Sequence, residues 1–139
     1  MMPTYMLDTN ICIYINKNKP LEVLEKFKSL SVGDAVISQI TWGELQYGAY
    51  KSQYTTRMLQ EFEQLVRLIP VLPLSNKAAE HYGQIRNMLA RQGQIIGAND
   101  LWIAAHARAS DLILVTNNTQ EFCRVEELRL ENWVRDELA

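Results

Sequence analysis

The sequence predicts an α/β domain in which a central parallel sheet is flanked by helices. Two observations carry this prediction. Short apolar runs of strand length alternate with longer stretches of helical periodicity. Strands separated in this way by helices pair in parallel and take helices on both faces. The length sets the scale: 139 residues suit one domain with a real core and are too few for two. Residues 1–139 are therefore expected to form a single unit.

Each element follows from local signals. Thr4 to Leu7 reads as a buried strand, and Asp8-Thr9-Asn10 closes it with residues that favour turns and caps. A short helix is expected from Ile11 to Ile15, with Pro20 marking the loop beyond. Leu21, Leu24, Phe27 and Leu30 share one helical face. Ala35 to Ile37 predicts a second strand, Ser38 a cap, and Gln39 to Tyr50 a helix. Tyr54 to Leu68 predicts another helix, with Leu59, Phe62, Leu65 and Val66 inward. Val71-Leu72 is a third strand. Ser75 caps a helix reaching about Gln92, with Ala78, Tyr82, Ile85 and Leu89 as its apolar stripe and Gly93 as its end. A helix from Gly97 to Ser110, a strand from Leu112 to Val115, a turn-rich stretch and an edge strand within Leu128 to Trp133 complete the chain.

Composition excludes several classes. Hydrophobic residues make up 47% and charged residues 22%, a globular balance that rules out disorder and collagen-like repeats. No apolar run approaches the roughly 20 residues of a membrane span. Met1 to Asp8 has no basic region followed by an apolar stretch, so no secretory signal is expected. Cys12 and Cys123 show no CxxC spacing and are expected to be free thiols in a reducing cytosol. A net charge of -2 argues against a histone-like binder of nucleic acid, but not against an enzyme that meets phosphate through a metal.

In parallel sheets, sites form at the carboxyl ends of the strands, and three acids fall near a strand's carboxyl end or a helix's amino end. Asp8 follows the first strand, where an N-cap role is equally available. Glu44 lies three residues after Thr41, in the spacing of a capping box. If Ser38 is the cap instead, Glu44 lies too deep in the helix to serve it. Asp100 precedes the strongly apolar stretch Leu101 to Ala105; an acid at the start of a helix suits the macrodipole, but one pressed into apolar surroundings needs a partner. Carboxylates brought together raise one another's pKa unless a cation intervenes. Mg²⁺, which prefers oxygen ligands and keeps several waters, is the natural candidate. Held by such acids, it can orient a water for attack on a phosphodiester.

Met6-Leu7-Asp8-Thr9-Asn10, Ser38 to Leu45, Asn99-Asp100 to Ala105 and Val115-Thr116-Asn117-Asn118 through Glu121-Phe122 occur in an order and spacing that resemble PIN-domain ribonucleases. Specifically, they resemble the VapC-type toxins of bacterial toxin–antitoxin pairs, from Thr4 to about Trp133. The resemblance implies an α/β/α fold, a Mg²⁺ or Mn²⁺ site and endoribonuclease activity. It places the family's first three acids on Asp8, Glu44 and Asp100. A fourth family acid falls where this chain has Asn118; Glu121 would then substitute, or Asn118 would act as a neutral ligand. Thr116 would hydrogen-bond a site carboxylate, and Asn10 would support the first motif. The resemblance further implies a VapB-type antitoxin covering the site, a homodimer, a cytoplasmic location and no membrane association. Within the family, Thr-Asn-Asn followed by Glu-Phe is similar to the lineage that cuts initiator tRNA in its anticodon stem-loop.

His81 and His106 share no metal-ligand spacing and are expected to be structural or surface residues. Cys12 lacks a neighbouring His, which argues against a thiol nucleophile. Trp42, Tyr47 and Tyr50 are read chiefly as core or dimer-interface residues, with base stacking as the alternative. Lys17, Lys19, Lys26 and Lys28 read as a solvated face or as contacts to RNA phosphates. Rival functions are a strand-end-aspartate phosphatase, for which Asn10 lacks the second carboxylate, a phospho-acceptor domain, for which Val115-Thr116-Asn117 lacks the late Lys, and an RNA-binding domain that does not cut.

Overall fold

A computed structural model describes residues 2–135. In chain order the elements are β1 (Tyr5–Leu7), α1 (Thr9–Lys17), α2 (Leu21–Lys28), β2 (Ala35–Ser38), α3 (Gln39–Lys51) and α4 (Thr55–Leu68). They continue with β3 (Val71–Leu72), α5 (Asn76–Arg91), α6 (Ala98–Ala109), β4 (Ile113–Val115), α7 (Thr119–Phe122) and β5 (Leu130–Glu131). All strand pairings are parallel, in the order β3-β2-β1-β4-β5. Met6 is the partner of Val36 on one side and of Leu114 on the other.

The central strands divide their side chains between two cores, as a period of two requires. Met6, Val36 and Leu114 face a cluster with Ile85, Leu89, Leu101 and Ala104 of α5 and α6. Leu7, Ile37 and Val115 face Ile11, Leu45, Phe62 and Leu65 of α1, α3 and α4. Burial on both faces makes these short strands apolar throughout.

The chain builds outward from β1 through β2 to β3, then returns to add β4 and β5 on the other side. The switch in winding direction therefore lies between β1 and β4, at whose carboxyl ends a crevice opens. Asp8 follows β1 there and Thr116 follows β4; the Asp8 amide donates to the Val115 carbonyl at 3.0 Å.

Several boundaries differ from the sequence expectation. Helix α1 starts at Thr9 rather than Ile11, because Asp8 accepts from the Ile11 amide and nucleates the first turn. Strand β4 starts at Ile113, because the Leu112 amide is spent on the Ala107 carbonyl at the end of α6, with Asp111 at φ 56°. The turn-rich stretch holds a one-turn helix, α7. Strand β5 is confined to Leu130–Glu131; Trp133 instead packs edge-on against Tyr5, ring centroids 5.5 Å apart. Tyr47 and Tyr50, expected in the core or a dimer interface, are 67% and 66% exposed in the single chain, which removes the core alternative, because they lie on the face of α3 opposite Leu45 and Ala49. Among the described residues, no helix is long and apolar enough to cross a membrane.

Candidate active site

Asp8 is 5% exposed and serves two ends at once. One carboxylate oxygen, Oδ1, caps α1 by accepting from the Ile11 amide at 3.1 Å. The other, Oδ2, accepts from the Thr116 hydroxyl at 2.5 Å. Burial raises the Asp8 pKa, opposed by the hydrogen bonds from Thr116 and from the Ile11 and Asn10 amides, while the charge of Glu44 raises it further. The cap and the site are thus the same residue. Asn10 contributes its backbone, while its side chain faces outward.

Ser38, not Thr41, caps α3: its hydroxyl accepts from the Ile40 amide at 3.1 Å. Glu44 is thereby free of capping and lies in the second turn. Its Oε1 accepts from the Thr9 hydroxyl and its Oε2 from the Asn99 side-chain amide at 3.3 Å. Thr9 immediately follows Asp8, and Asn99 immediately precedes Asp100, so the neighbours of two acids hold the third. Nothing in the sequence singled out Thr9 and Asn99 for this; their adjacency to the acids was the only available signal.

Asp100 lies in the first turn of α6, which has no side-chain cap. Its carboxyl pKa is pushed up to about 6, first by burial, then by the charges of Glu44, Glu121 and Asp8. Glu44, Glu121 and Asp8 are thus each near enough for their charge to act on Asp100. No Lys or Arg forms an ion pair with any of them among the described residues. Thr116, fully buried, also accepts from the Asn118 amide at 2.9 Å. The Asn118 side chain in turn donates to Glu121 at 3.0 Å, so α7 carries Glu121 to the rim of the same crevice.

The donor set consists of oxygens alone and fits a hard divalent cation. Among the described residues no three Asp, Glu, His or Cys side chains close into a metal-holding group by themselves. Mg²⁺ takes one or two carboxylates directly and keeps water in its remaining positions.

Other candidates fall away from the crevice. His106 is buried, and its Nδ1 lies 2.8 Å from the Ser38 hydroxyl. His81 accepts from Arg108 Nε at 2.9 Å. Both cysteines are free; burial, then the nearby Asp8 charge, drives the Cys12 thiol up, which opposes its acting as a thiolate.

Comparison with known families matches the PIN domain over residues 5–128. The chain belongs to the PIN domain family. A tRNA(fMet)-specific endonuclease VapC from Shigella flexneri is 53% identical over 132 residues, covering 95% of this chain and 99% of the relative. Ribonuclease VapC2 from Haemophilus influenzae is 49% identical over 133 residues, covering 96% and 100%. Among solved structures, DNA-bound VapBC from Salmonella typhimurium superposes with a TM-score of 0.90 at 44% identity, covering 96% of this chain and 100% of that one. VapBC2 from Rickettsia felis, bound to a promoter fragment, gives 0.88 at 38% identity, covering 94% and 99%. This PIN domain is therefore of the VapC kind, as its motifs indicate.

Proposed function

We propose that this PIN domain is the toxin of a VapBC pair, a divalent-metal-dependent endoribonuclease that hydrolyses RNA phosphodiesters. The observation that carries this reading is the gathering of carboxylates at the β1–β4 crevice, where Thr116 pins Asp8 and where burial, with the charges of Glu44, Glu121 and Asp8, raises Asp100. Such a cluster discharges its repulsion by holding a cation. When bound, Mg²⁺ or Mn²⁺ would supply charge neutralisation on phosphate and a more acidic water.

The protein's own residues have separable tasks. Asp8 and Asp100 would hold the metal. Thr116 fixes the Asp8 carboxylate, so that its orientation does not depend on solvent. Glu44, held on both oxygens by Thr9 and Asn99, is preorganised to ligate or to orient the attacking water. Asn118 and Glu121 close the rim as a hydrogen-bonded pair in place of two free acids. Attack by water leaves a 5′-phosphate.

Initiator tRNA is the proposed substrate, cut in the anticodon stem-loop, on the strength of the likeness to the tRNA(fMet)-specific relative. The likeness to VapBC complexes supports a VapB-type antitoxin as partner, and we extend the reading to a toxin homodimer in the cytoplasm.

The test is cleavage of total RNA by purified protein, with fragment ends mapped. Cleavage should require Mg²⁺ or Mn²⁺, stop with EDTA and vanish in Asp8→Asn and Asp100→Asn. Full activity in those variants would overturn the site. A 2′,3′-cyclic phosphate product would overturn attack by water. An intact initiator tRNA beside another RNA cut at a unique site would overturn the substrate.

A further inference from the structure

Two hollows lie end to end along α1. The first, of about 660 Å³, begins at Glu44 and its partner Asn99 and takes Thr9 and Ile13 from α1 with Tyr47 and Lys51 from α3. The second, of about 630 Å³, takes Lys17 from α1, Lys19 from the following turn, and Tyr54 and Arg57 from the start of α4. Thr9, Ile13 and Lys17 recur every fourth residue and so share one helical face. At 1.5 Å per residue that face spans about 12 Å, roughly three nucleotides of a stacked strand at about 3.4 Å each.

We propose that a single-stranded segment of the RNA follows this crease away from the acids, stacking bases on Tyr47 and Tyr54 and setting phosphates against Lys51, Lys17 and Lys19. The proposal rests on the ribonuclease reading and names how that site takes its substrate.

Charge and surface chemistry favour RNA over a protein segment. Tyr47 is 67% and Tyr54 58% exposed, an unfavourable placement for rings that have no ligand. Lys51 Nζ lies over one face of the Tyr47 ring, 5.1 Å from its centroid, so a base would stack on the opposite face with the cation held close by. Among the described residues Lys17, Lys19 and Lys51 form no ion pair, whereas Arg57 is shared with Glu61 at 3.7 Å. Unspent cations interleaved with aromatic faces are the pattern of a single-strand binding surface. Gly43 and Gly48 also line the first hollow. A Cβ at either would meet nothing within 4 Å, so packing does not require glycine there; its effect is to leave the floor of the hollow open, at a cost to the helix.

The test measures binding of a short fluorescein-labelled single-stranded RNA by anisotropy in Mg²⁺, in an Asp100→Asn background that leaves the RNA uncut. Wild-type protein is assayed for cleavage in parallel. Tyr47→Ala and Tyr54→Ala should each weaken binding about fivefold or more. Lys51→Ala should lower the salt slope by about 0.7. Lys77→Ala, on the distant α5, should change neither, and the urea midpoints of all four variants should match the parent. If wild type cuts RNA while the tyrosine and lysine variants bind like the parent, the track is wrong and the nuclease reading stands. If those variants keep RNA binding but lose a co-expressed protein partner, the occupant is that protein and the proposal falls. If wild type cuts no RNA in Mg²⁺ or Mn²⁺, the nuclease reading fails and takes the track with it.

Discussion

The Thr116 hydroxyl donates to Asp8 Oδ2 at 2.5 Å across 108 positions of sequence, joining the ends of β4 and β1 at the crevice. Thr116 Oγ1 itself accepts from the Asn118 amide, so Thr116 links a backbone donor of the β4–α7 turn to the Asp8 carboxylate.

Replacing Thr116 with Val removes both bonds at nearly constant volume and leaves a buried carboxylate oxygen short of a donor. Thr116→Val should destabilise the protein by about 1–3 kcal/mol and weaken metal affinity by about 10–100-fold. Thr116→Ser should restore most of both. Urea denaturation and Mg²⁺ titration by calorimetry check these outcomes.

Asp100 gives two linked pH effects. Its folded pKa of about 6 exceeds its ordinary value of 3.8, so the metal-free folded state binds more protons than the unfolded state between those limits. Stability in EDTA should therefore fall as pH rises through that window and then level off. The partial exposure of Asp100 limits the effect to about 1 kcal/mol after solvent screening. Asp100→Asn should raise the melting temperature at neutral pH by a few degrees (roughly 2–4 °C) while abolishing cleavage. At subsaturating Mg²⁺, cleavage by wild type should decline as pH falls through about 6, because the proton on metal-free Asp100 competes with the cation, and excess Mg²⁺ should move the decline to lower pH. A melting temperature unchanged between acid and neutral pH in both proteins would refute the linkage.

Asn118→Asp would supply the acid expected at this position in the family. It would also exchange a 3.0 Å hydrogen bond to Glu121 for a like-charge contact. The expected cost is about 1 kcal/mol without metal, with a steeper gain of melting temperature on adding Mg²⁺ than wild type shows. Equal Mg²⁺ responses would show that the position lies outside the metal's reach.

Ser38 caps α3 and meets His106 Nδ1 at 2.8 Å. Burial lowers the His106 pKa, with only a backbone hydrogen bond involving Pro73 opposing it, so the ring is neutral and Nδ1 accepts from the Ser38 hydroxyl. Ser38→Ala should cost about 2 kcal/mol, combining a lost cap with an unpaired buried nitrogen. Thermal denaturation reads this directly; a loss below a few tenths of a kcal/mol would remove the strut.

Much of the fold was legible because its signals are local. Asp8, Ser38 and Ser75 announce helices by cap chemistry, and the stripe of Ala78, Ile85 and Leu89 sets the buried face of α5. The candidate acids were legible as positions at strand and helix ends. The choice between Ser38 and Thr41 as the cap of α3 was not, because both patterns satisfy the same local rule. Nor was the exposure of Tyr47 and Tyr50, since aromatic residues on a helix carry no mark of which face the partner elements cover.

By itself the sequence determined the alternation of strands and helices, the caps that start them and the placement of Asp8, Glu44 and Asp100 at their ends. Only the tertiary structure decided that Thr9 and Asn99 grip Glu44, that Asp8 is the carboxylate Thr116 reaches, and that Asn118 holds Glu121 at the rim. These contacts depend on the strand order β3-β2-β1-β4-β5, which is set by packing two cores against opposite faces of one sheet. Residue spacing along the chain encodes the period of each element, but the distance between two acids is fixed by which strands become neighbours.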